Sequence, residues 1–230
     1  MDIPLLFGPY NRPTGIWLDY LTYPGWFEVP DPNLQESCFC SGCIVTFCER
    51  TGIDAPTPAE ILARHGDAWA QHKCAQIAAF APHYAQMIRV ELPDCMIGAY
   101  MCPWTPKEFD GALKRIFEQD YAQLAPAIDV FAPLIYGMKS GRPSMWGRAF
   151  LEGVSAFVPR DRKMQLILDA LDGPASLVET AASSQPSWGL QIFGGASVFA
   201  DAAVAQGFQT AVAHFHGNAA GAMPVEEASI

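Results

Sequence analysis

The sequence predicts an α/β fold built on parallel strands, and two observations lead to this prediction. Short, nearly continuous apolar runs recur along the 230 residues, at positions 16–21, 97–102, 130–136, 164–168 and 189–193. Runs without strict polar alternation are typical of strands that are buried on both faces of a parallel sheet. Longer stretches with helical periodicity separate these runs, and the regular alternation of strand and helix defines the α/β class.

The longest helix is predicted after a strong start signal. Thr57, Pro58 and Glu60 form a capping box with proline at the first helical position. The helix is expected over positions 67–90, with Pro82 kinking it or ending its first half. The residues that recur at helical spacing along it, and so predict its buried face, are Trp69, Lys73, Ile77, Phe80, Tyr84 and Ile88.

The predicted architecture is a (β/α)8 barrel of the TIM type, present only in part. No glycine-rich turn follows the first strand, as a dinucleotide-binding sheet would require, and several strands end in acidic or aromatic residues, where barrel enzymes carry their chemistry. A closed barrel needs eight strand–helix units, and about five are found. We therefore expect positions 1–14 to be irregular, 15–216 to form the C-terminal part of such a barrel, and 217–230 to be a flexible tail.

Composition limits the partners of the chain. Half of the residues are hydrophobic, enough for a sizeable core, and the net charge of −10 opposes binding to nucleic acid phosphates. A neutral or cationic ligand fits this charge better. No stretch has the roughly 20 apolar residues of a membrane span, and the first residues lack the basic and apolar segments of a secretion signal. These features predict a cytoplasmic protein that binds neither nucleic acid nor membrane.

Four of the seven cysteines lie between Cys38 and Cys48. In a chain predicted to be cytoplasmic, this clustering favours thiolates that hold a metal over a disulfide framework. Cys38, Cys40 and Cys43 are spaced to converge on one ion, and soft thiolates favour a structural zinc with four ligands. The fourth ligand is open: Cys48 joins if the next helix starts late or bends, and His72 or Cys74 could reach across. Reduced free thiols packed in a loop are the alternative.

Three segments carry a resemblance to known proteins. GIWLDYLTYP at 15–24 is similar to the fourth strand of uncharacterised glycoside-hydrolase-like TIM barrels, and EQDYAQLAPAIDVFAPLIYG at 118–137 resembles their fifth helix and sixth strand. CFCSGC at 38–43 resembles the zinc-binding loop of the family 42 β-galactosidases. The chain departs from the first group at Thr22, where an arginine is usual. The resemblance implies a carbohydrate-active barrel with its site at the carboxyl ends of the strands.

Hydrolysis of a glycosidic bond needs two carboxyl groups, one to protonate the leaving oxygen and one to act as nucleophile or base. Asp19 and Asp169 each end a predicted strand. Side chains alternate along a strand, so Trp17 and Asp19 share one face. If that face is the interior of the barrel, Asp19 is the acid or base and Asp169 its partner. The alternative is that each carboxylate caps or ion-pairs a neighbouring loop.

Aromatic and polar residues near the strand ends are candidates for sugar binding. Aromatic rings stack on the apolar C–H faces of pyranoses, and carboxylates or hydroxyls bind their hydroxyl groups. These candidates are Trp17, Tyr20, Trp26, Glu28, Trp104, Glu108, Asp120 and Tyr136. Asp120 equally fits the N-cap of a helix, and any single tryptophan equally fits the core.

Two alternatives to a glycosidase remain at this point. The small number of strands and Thr22 fit a non-catalytic carbohydrate-binding domain or a truncated barrel, and other barrel enzymes, such as isomerases or lyases, share the fold. The open edges of an incomplete barrel also predict a homo-oligomer that covers them.

Overall fold

The computed structural model describes residues 12–143, 145–184, 186–194 and 200–220, and its centre is one parallel sheet. The strands are β1 (Gly15–Leu18), β2 (Met96–Met101), β3 (Val130–Ile135), β4 (Lys163–Asp169) and β5 (Gly189–Phe193). Each strand pairs in parallel with the next along the chain, in the order β1-β2-β3-β4-β5. The predicted α/β class and the five parallel strands are confirmed. In the described ranges the sheet has two edges, β1 and β5.

Helices follow the strands and the long loop after β1. They are α1 (Ser41–Thr51), α2 (Pro58–Glu91), α3 (Ala112–Arg115), α4 (Tyr121–Leu124), α5 (Trp146–Val154), α6 (Gly173–Ser183) and α7 (Ala202–Ala220), with 3-10 turns at Glu108–Asp110 and Ala170–Asp172. Helix α7 includes residues 217–220 of the predicted tail. Residues 221–230 of that tail and residues 1–11 of the predicted irregular segment lie outside the described residues. No helix in the part of the chain that is described has both the length and the apolar character needed to cross a bilayer.

Helix α2 starts as the capping box predicts but bends at another place. The Thr57 hydroxyl accepts a hydrogen bond from the Glu60 backbone N–H at 3.3 Å. The backbone leaves helical geometry at His65, with φ −137° and ψ 22°, whereas the helix continues through Pro82. Pro82 is exposed, and the buried Ala81 and Ala85 beside it pack in the main core, so tertiary contacts hold the helix across the proline.

The sheet is covered on one face by helices and carries a smaller apolar cluster on the other. Alternate strand residues such as Ile97, Phe131 and Leu166 are fully buried against α2 and the later helices. On the opposite face Trp17, Tyr100, Ala132, Leu134, Tyr136 and Ile167 pack together. A Cβ atom at Gly98 would lie 2.4 Å from Nε1 of Trp17, so glycine is what allows the indole to lie across β2. Tyr100, Leu134 and Tyr136 on this second face also line a cavity at the carboxyl ends of the strands.

Candidate functional site

A cavity of about 210 Å³ opens at the carboxyl ends of the strands. In open α/β sheets and barrels this is the edge where ligands bind. Its lining combines carboxylates, one lysine and several aromatic rings. The residues that define it are Asp19, Tyr20, Trp26, Phe27, Glu28, Tyr100, Gln119, Tyr136, Lys139 and Phe193. We call this cavity the strand-end pocket.

Lys139 joins two carboxylates at this pocket. Its Nζ lies 3.0 Å from Oε2 of Glu28 and 2.9 Å from Oδ2 of Asp169. The other oxygen of Asp169 accepts a hydrogen bond from the Leu171 backbone N–H at 2.9 Å. Partial burial alone would lower the pKa of Lys139, but the hydrogen bonds to Asp169 and Glu28 raise it above its usual value. Lys139 is therefore a fixed cation that holds both carboxylates in place.

Asp19 lies at the exposed rim of the same pocket. Its Oδ1 accepts a hydrogen bond from the Tyr20 backbone N–H at 2.8 Å, and in the described ranges it forms no ion pair. Tyr20 has a positive φ of 51°, a conformation uncommon for a residue with a side chain. This turn leaves the Tyr20 ring 77% exposed, and the Trp26 ring, which lines the same pocket, is 53% exposed. Two aromatic rings and one carboxylate thus face solvent at the mouth.

Tyr136 forms the inner wall of the pocket. Its ring lies 4.7 Å from Nζ of Lys139 and 5.6 Å from the Phe193 ring. Burial, followed by the charges of Glu28 and Asp169, raises the pKa of Tyr136, so the phenol stays protonated and can donate a hydrogen bond. Trp17 lies deeper on the same face, and its buried Nε1 has no partner among the described atoms.

Several pocket residues were not identified from the sequence. Lys139 is the main one. Its position shortly after a strand end, in a chain of net charge −10, is the sequence feature that could have identified it. Gln119 is another: its side chain accepts from Cys102 N at 2.8 Å and donates to the carbonyls of Tyr100 and Leu21 at 3.2 and 3.4 Å. It therefore ties the end of β2 to the loop after β1. Outside the pocket lining, Asp172 accepts hydrogen bonds from the backbone N–H groups of Gly137 and Met138 and so positions the loop that carries Lys139.

Four of the predicted substrate-binding residues, Trp17 and the three that follow, lie outside the strand-end pocket lining. Trp104 is 2% exposed and packs on Phe117, with the ring centroids 5.1 Å apart. Glu108 pairs with Arg142 at 2.8 Å, and both line a neighbouring cavity of about 330 Å³. Asp120 caps α4, since its Oδ1 accepts from Ala122 N at 3.0 Å, and it pairs with Lys114 at 2.6 Å. Asp120 therefore occupies the N-cap position that the sequence also allowed.

Three cysteines come together in the loop after β1. Sγ of Cys38 lies 3.4 Å from Sγ of Cys43 and 3.8 Å from Sγ of Cys40, and all three sulfur atoms lie within 4.8 Å of one another. These three residues, which we call the cysteine cluster, could hold a metal ion. Cys48 is not part of the cluster. Its Sγ lies 3.9 Å from the Ala55 carbonyl oxygen, because it points from the next turn of α1 toward a separate apolar core.

The start of α1 favours ionised sulfur at Cys40, whereas burial, followed by the neighbouring thiols, raises the pKa of Cys43 to about 12. Cys40 is the N-cap residue of this helix, where free backbone N–H groups and the helix dipole stabilise negative charge. Hydrogen bonding from the Cys43 backbone, followed by the Cys43 and Cys38 thiols, lowers the pKa of Cys40. Cys38 has a positive φ of 57°, which turns the chain so that its sulfur meets the other two.

A buried ion pair lies between the cysteine loop and the sheet. Nζ of Lys73, on α2, lies 2.5 Å from Oε1 of Glu118, and both side chains are fully buried. The same ammonium donates to the carbonyls of Arg115 at 2.9 Å and Ser37 at 3.5 Å. Ser37 precedes Cys38, and Glu118 precedes Gln119 of the strand-end pocket. This pair therefore contacts the chain segments of both sites.

Comparison with known proteins finds a likeness in fold alone. No family model matches the chain, and no curated protein matches it. Among solved structures, the glycoside hydrolase domain of PgaB (BpsB) from Bordetella bronchiseptica is similar, with a TM-score of 0.60 and 12% sequence identity. The match covers 86% of this chain and 56% of that domain, so the chain spans about half of its length. The shared part is a glycoside-hydrolase-like arrangement of parallel strands and helices, a curled half-barrel. No family-level match supports the resemblance to the family 42 enzymes.

Proposed function

We propose that the strand-end pocket binds a carbohydrate. The observation that carries this proposal is that exposed aromatic rings and carboxylates share one cavity at the carboxyl ends of parallel strands. Trp26 and Tyr20 offer flat apolar surfaces for the C–H faces of a pyranose, and Asp19 and Glu28 offer acceptors for its hydroxyl groups. The glycoside hydrolase domain that shares the fold agrees with a sugar ligand.

The charge of the pocket narrows the class of sugar. Asp19 and Glu28 of the lining are acidic, and Lys139, the one cation in the described lining, is already paired with Glu28 and the buried Asp169. The resulting excess of negative charge repels uronic acids and phosphorylated sugars. A neutral or amino sugar is therefore the ligand that we propose, in line with the net charge of the chain.

Calorimetric titration with a panel of neutral, amino and acidic oligosaccharides tests the proposal. We expect binding of neutral or amino sugars, and a loss of about tenfold in affinity for Trp26→Ala because one stacking surface is removed. Trp188→Ala is the matched control: Trp188 is 38% exposed and lies outside the strand-end pocket. Preferential binding of acidic sugars, or equal losses in both variants, would contradict the proposal.

Hydrolysis is the second candidate function, because Asp19, after β1, lines the pocket, and Asp169, at the end of β4, pairs with the pocket residue Lys139. Lys139 pairs with Asp169 at 2.9 Å and so holds this carboxylate in position as the nucleophile or base, and Asp19 would be the acid. We expect turnover of an aryl glycoside that Asp19→Asn and Asp169→Asn both abolish. Asp161→Asn, at an exposed surface ion pair, is the control. Sugar binding without turnover would favour a non-catalytic carbohydrate-binding domain. Conversion of the sugar to a product without hydrolysis would favour an isomerase or lyase.

We also propose that the cysteine cluster holds a structural zinc ion. Two Zn–S bonds of about 2.3 Å at a tetrahedral angle place their sulfur atoms about 3.8 Å apart. In the structure, the sulfur atoms of Cys43 and Cys40 lie 3.4 and 3.8 Å from that of Cys38, close to this spacing. The cluster ends the loop that carries Trp26 and Glu28 to the strand-end pocket, so zinc would fasten this loop to α1.

Elemental analysis of the purified protein tests the zinc proposal. We expect about one zinc per chain, lost in Cys43→Ser and kept in Cys48→Ser. Zinc retained after Cys43→Ser, or lost equally in both variants, would contradict the assignment of ligands.

A further inference from the structure

The cysteine cluster offers fewer ligands than a closed zinc site requires. Structural zinc sites have four protein ligands, whereas three protein ligands leave a position for an external molecule. Within the described ranges, the metal-ligating side chains that come together here are Cys38, Cys40 and Cys43, and no fourth cysteine, histidine or carboxylate joins them. An ion bound by these three cysteines would therefore have one coordination position without a described protein ligand.

The three candidates for a fourth ligand are engaged elsewhere. The buried Cys74 thiol donates to the Lys114 carbonyl at 3.6 Å, and the other two candidates pack in another core. Cys48 packs with Phe47 and Trp69 and contacts the Ala55 carbonyl. The His72 ring stacks on Trp69, with centroids 5.8 Å apart, and meets the Phe47 ring edge at 5.5 Å. Moving either side chain to the cluster would break up this buried aromatic group, so the packing of the core opposes it.

Open space adjoins the cluster on the side of Cys43. A cavity of about 420 Å³ is lined by Tyr23, Cys43, Arg50, Gln76, Ala79 and Phe80. The Tyr23 hydroxyl donates to Oε1 of Gln76 at 2.8 Å and lies beside the Cys43 thiol. Arg50 adds a positive charge to this lining. The cavity therefore offers room, a fixed hydroxyl and a cation next to one of the sulfur ligands.

We propose that an ion held by Cys38, Cys40 and Cys43 keeps its fourth coordination position toward this cavity and binds a small external thiol there. The proposal extends the zinc assignment above and rests on metal binding by the cluster. A thiol is the class that fits because an ion already bound to three thiolates favours another soft donor, and Arg50 offsets the negative charge that the fourth thiolate brings. Binding releases the thiol proton to solvent and involves no change in oxidation state.

Cobalt(II) in place of zinc makes the coordination visible. The wild-type protein, free of thiol reagents, is first titrated with Co²⁺ and then with 2-mercaptoethanol while sulfur-to-cobalt charge-transfer absorption is recorded. We expect saturation at about one cobalt per chain, followed by a rise of about one third in charge-transfer intensity as three Co–S bonds become four. Cobalt binding with no response to the thiol would overturn the open position and leave the metal site intact. No cobalt binding would overturn both.

A variant that fills the cavity tests where the open position lies. Ala79 is exposed on α2 and lines the cavity, so Ala79→Trp should keep cobalt affinity and weaken thiol binding about tenfold by occupying the space. Ala63→Trp, at an exposed position of the same helix, is the matched control and should leave both affinities unchanged. Equal thiol affinity in the two variants would overturn the assignment of the open position to this cavity.

Discussion

Two lysine–carboxylate groups in this protein have similar chemistry but very different surroundings. Lys73 and Glu118 lie 2.5 Å apart, and both side chains are fully buried. Lys139 reaches Glu28 at 3.0 Å and Asp169 at 2.9 Å, but its own side chain is 29% exposed and that of Glu28 is 18% exposed. The Lys73–Glu118 pair is enclosed between α2 and the segment before α4. In the second group, Lys139 and Glu28 line the strand-end pocket.

The difference shows which group can take part in binding. A fully buried ion pair has lost its water, so neither partner can leave the other without exposing an unpaired charge to a medium of low polarity. A partly exposed group exchanges water, and a sugar hydroxyl can replace that water at little cost. We therefore assign the Lys73–Glu118 pair to stability and the Lys139 group to the site. Each prediction below tests this division.

The largest expected effect is the loss of stability in Lys73→Met. Removing the ammonium leaves the buried Glu118 without its principal partner, and above pH 8, where this carboxyl is ionised, such a change costs about 3–5 kcal/mol of unfolding free energy. Urea denaturation followed by circular dichroism measures it. Lys107→Met removes an exposed lysine and should change stability by less than about 0.5 kcal/mol. A loss below about 1 kcal/mol in Lys73→Met would mean that the buried pair does not stabilise the fold.

The next effect is a dependence of stability on pH that comes from Glu118. Burial raises the pKa of its carboxyl from 4.5 to about 8 even though the adjacent charge of Lys73 lowers it. The folded state therefore binds this proton more tightly than the unfolded state, so its contribution to stability is complete below pH 4.5 and is lost as the pH rises toward 8. We expect a decline of up to about 5 kcal/mol across that window, because each pKa unit corresponds to about 1.4 kcal/mol. Glu118→Gln should flatten it, and equal slopes in urea titrations of both proteins would contradict the assignment.

The sequence predicted the sheet well because apolar runs report burial. All five strands lie where those runs occur, but β1 ends at Leu18 and not at Leu21. The chain turns at Tyr20, where φ is 51°, and Leu21 is buried in the main core after that turn. Hydrophobicity indicates that a residue is buried and does not indicate the direction of the backbone, so the strand end was placed three residues late.

The sequence did not predict which charged side chains pair with one another. Lys73 falls on the predicted helical stripe with Trp69 and Ile77, and all three are buried, but periodicity does not identify Glu118 as its partner. On that stripe Phe80 and Tyr84 are 54% and 46% exposed. The Lys139 group joins loops after β1 and β3 to the end of β4, so it exists only once the sheet is assembled. By contrast, the cysteine cluster was visible because its members are close in sequence.

A smaller effect on stability, with a clear effect on binding, is expected for Lys139→Met. Asp169 has a side chain that is 2% exposed, but it keeps its hydrogen bond from Leu171 N and gains water from the pocket, so the loss should be about 1–2 kcal/mol. Because Glu28 and Asp169 are no longer held, sugar affinity should fall about tenfold. Urea denaturation and calorimetric titration measure the two quantities. A loss of stability as large as that of Lys73→Met would remove the distinction between the two groups.

The smallest effect on stability is expected for Asp19→Asn, which tests the role of the rim. Asp19 is exposed and forms no ion pair with the residues described, so the unfolding free energy should change by less than about 0.5 kcal/mol. Asparagine keeps the acceptor for Tyr20 N but removes the charge, and affinity for an amino sugar should therefore fall more than affinity for its neutral counterpart. Titration of Asp19→Asn with a matched pair of neutral and amino sugars measures this difference. Equal losses for the two sugars would show that Asp19 contributes through its shape and hydrogen bonding and that its charge does not select the ligand.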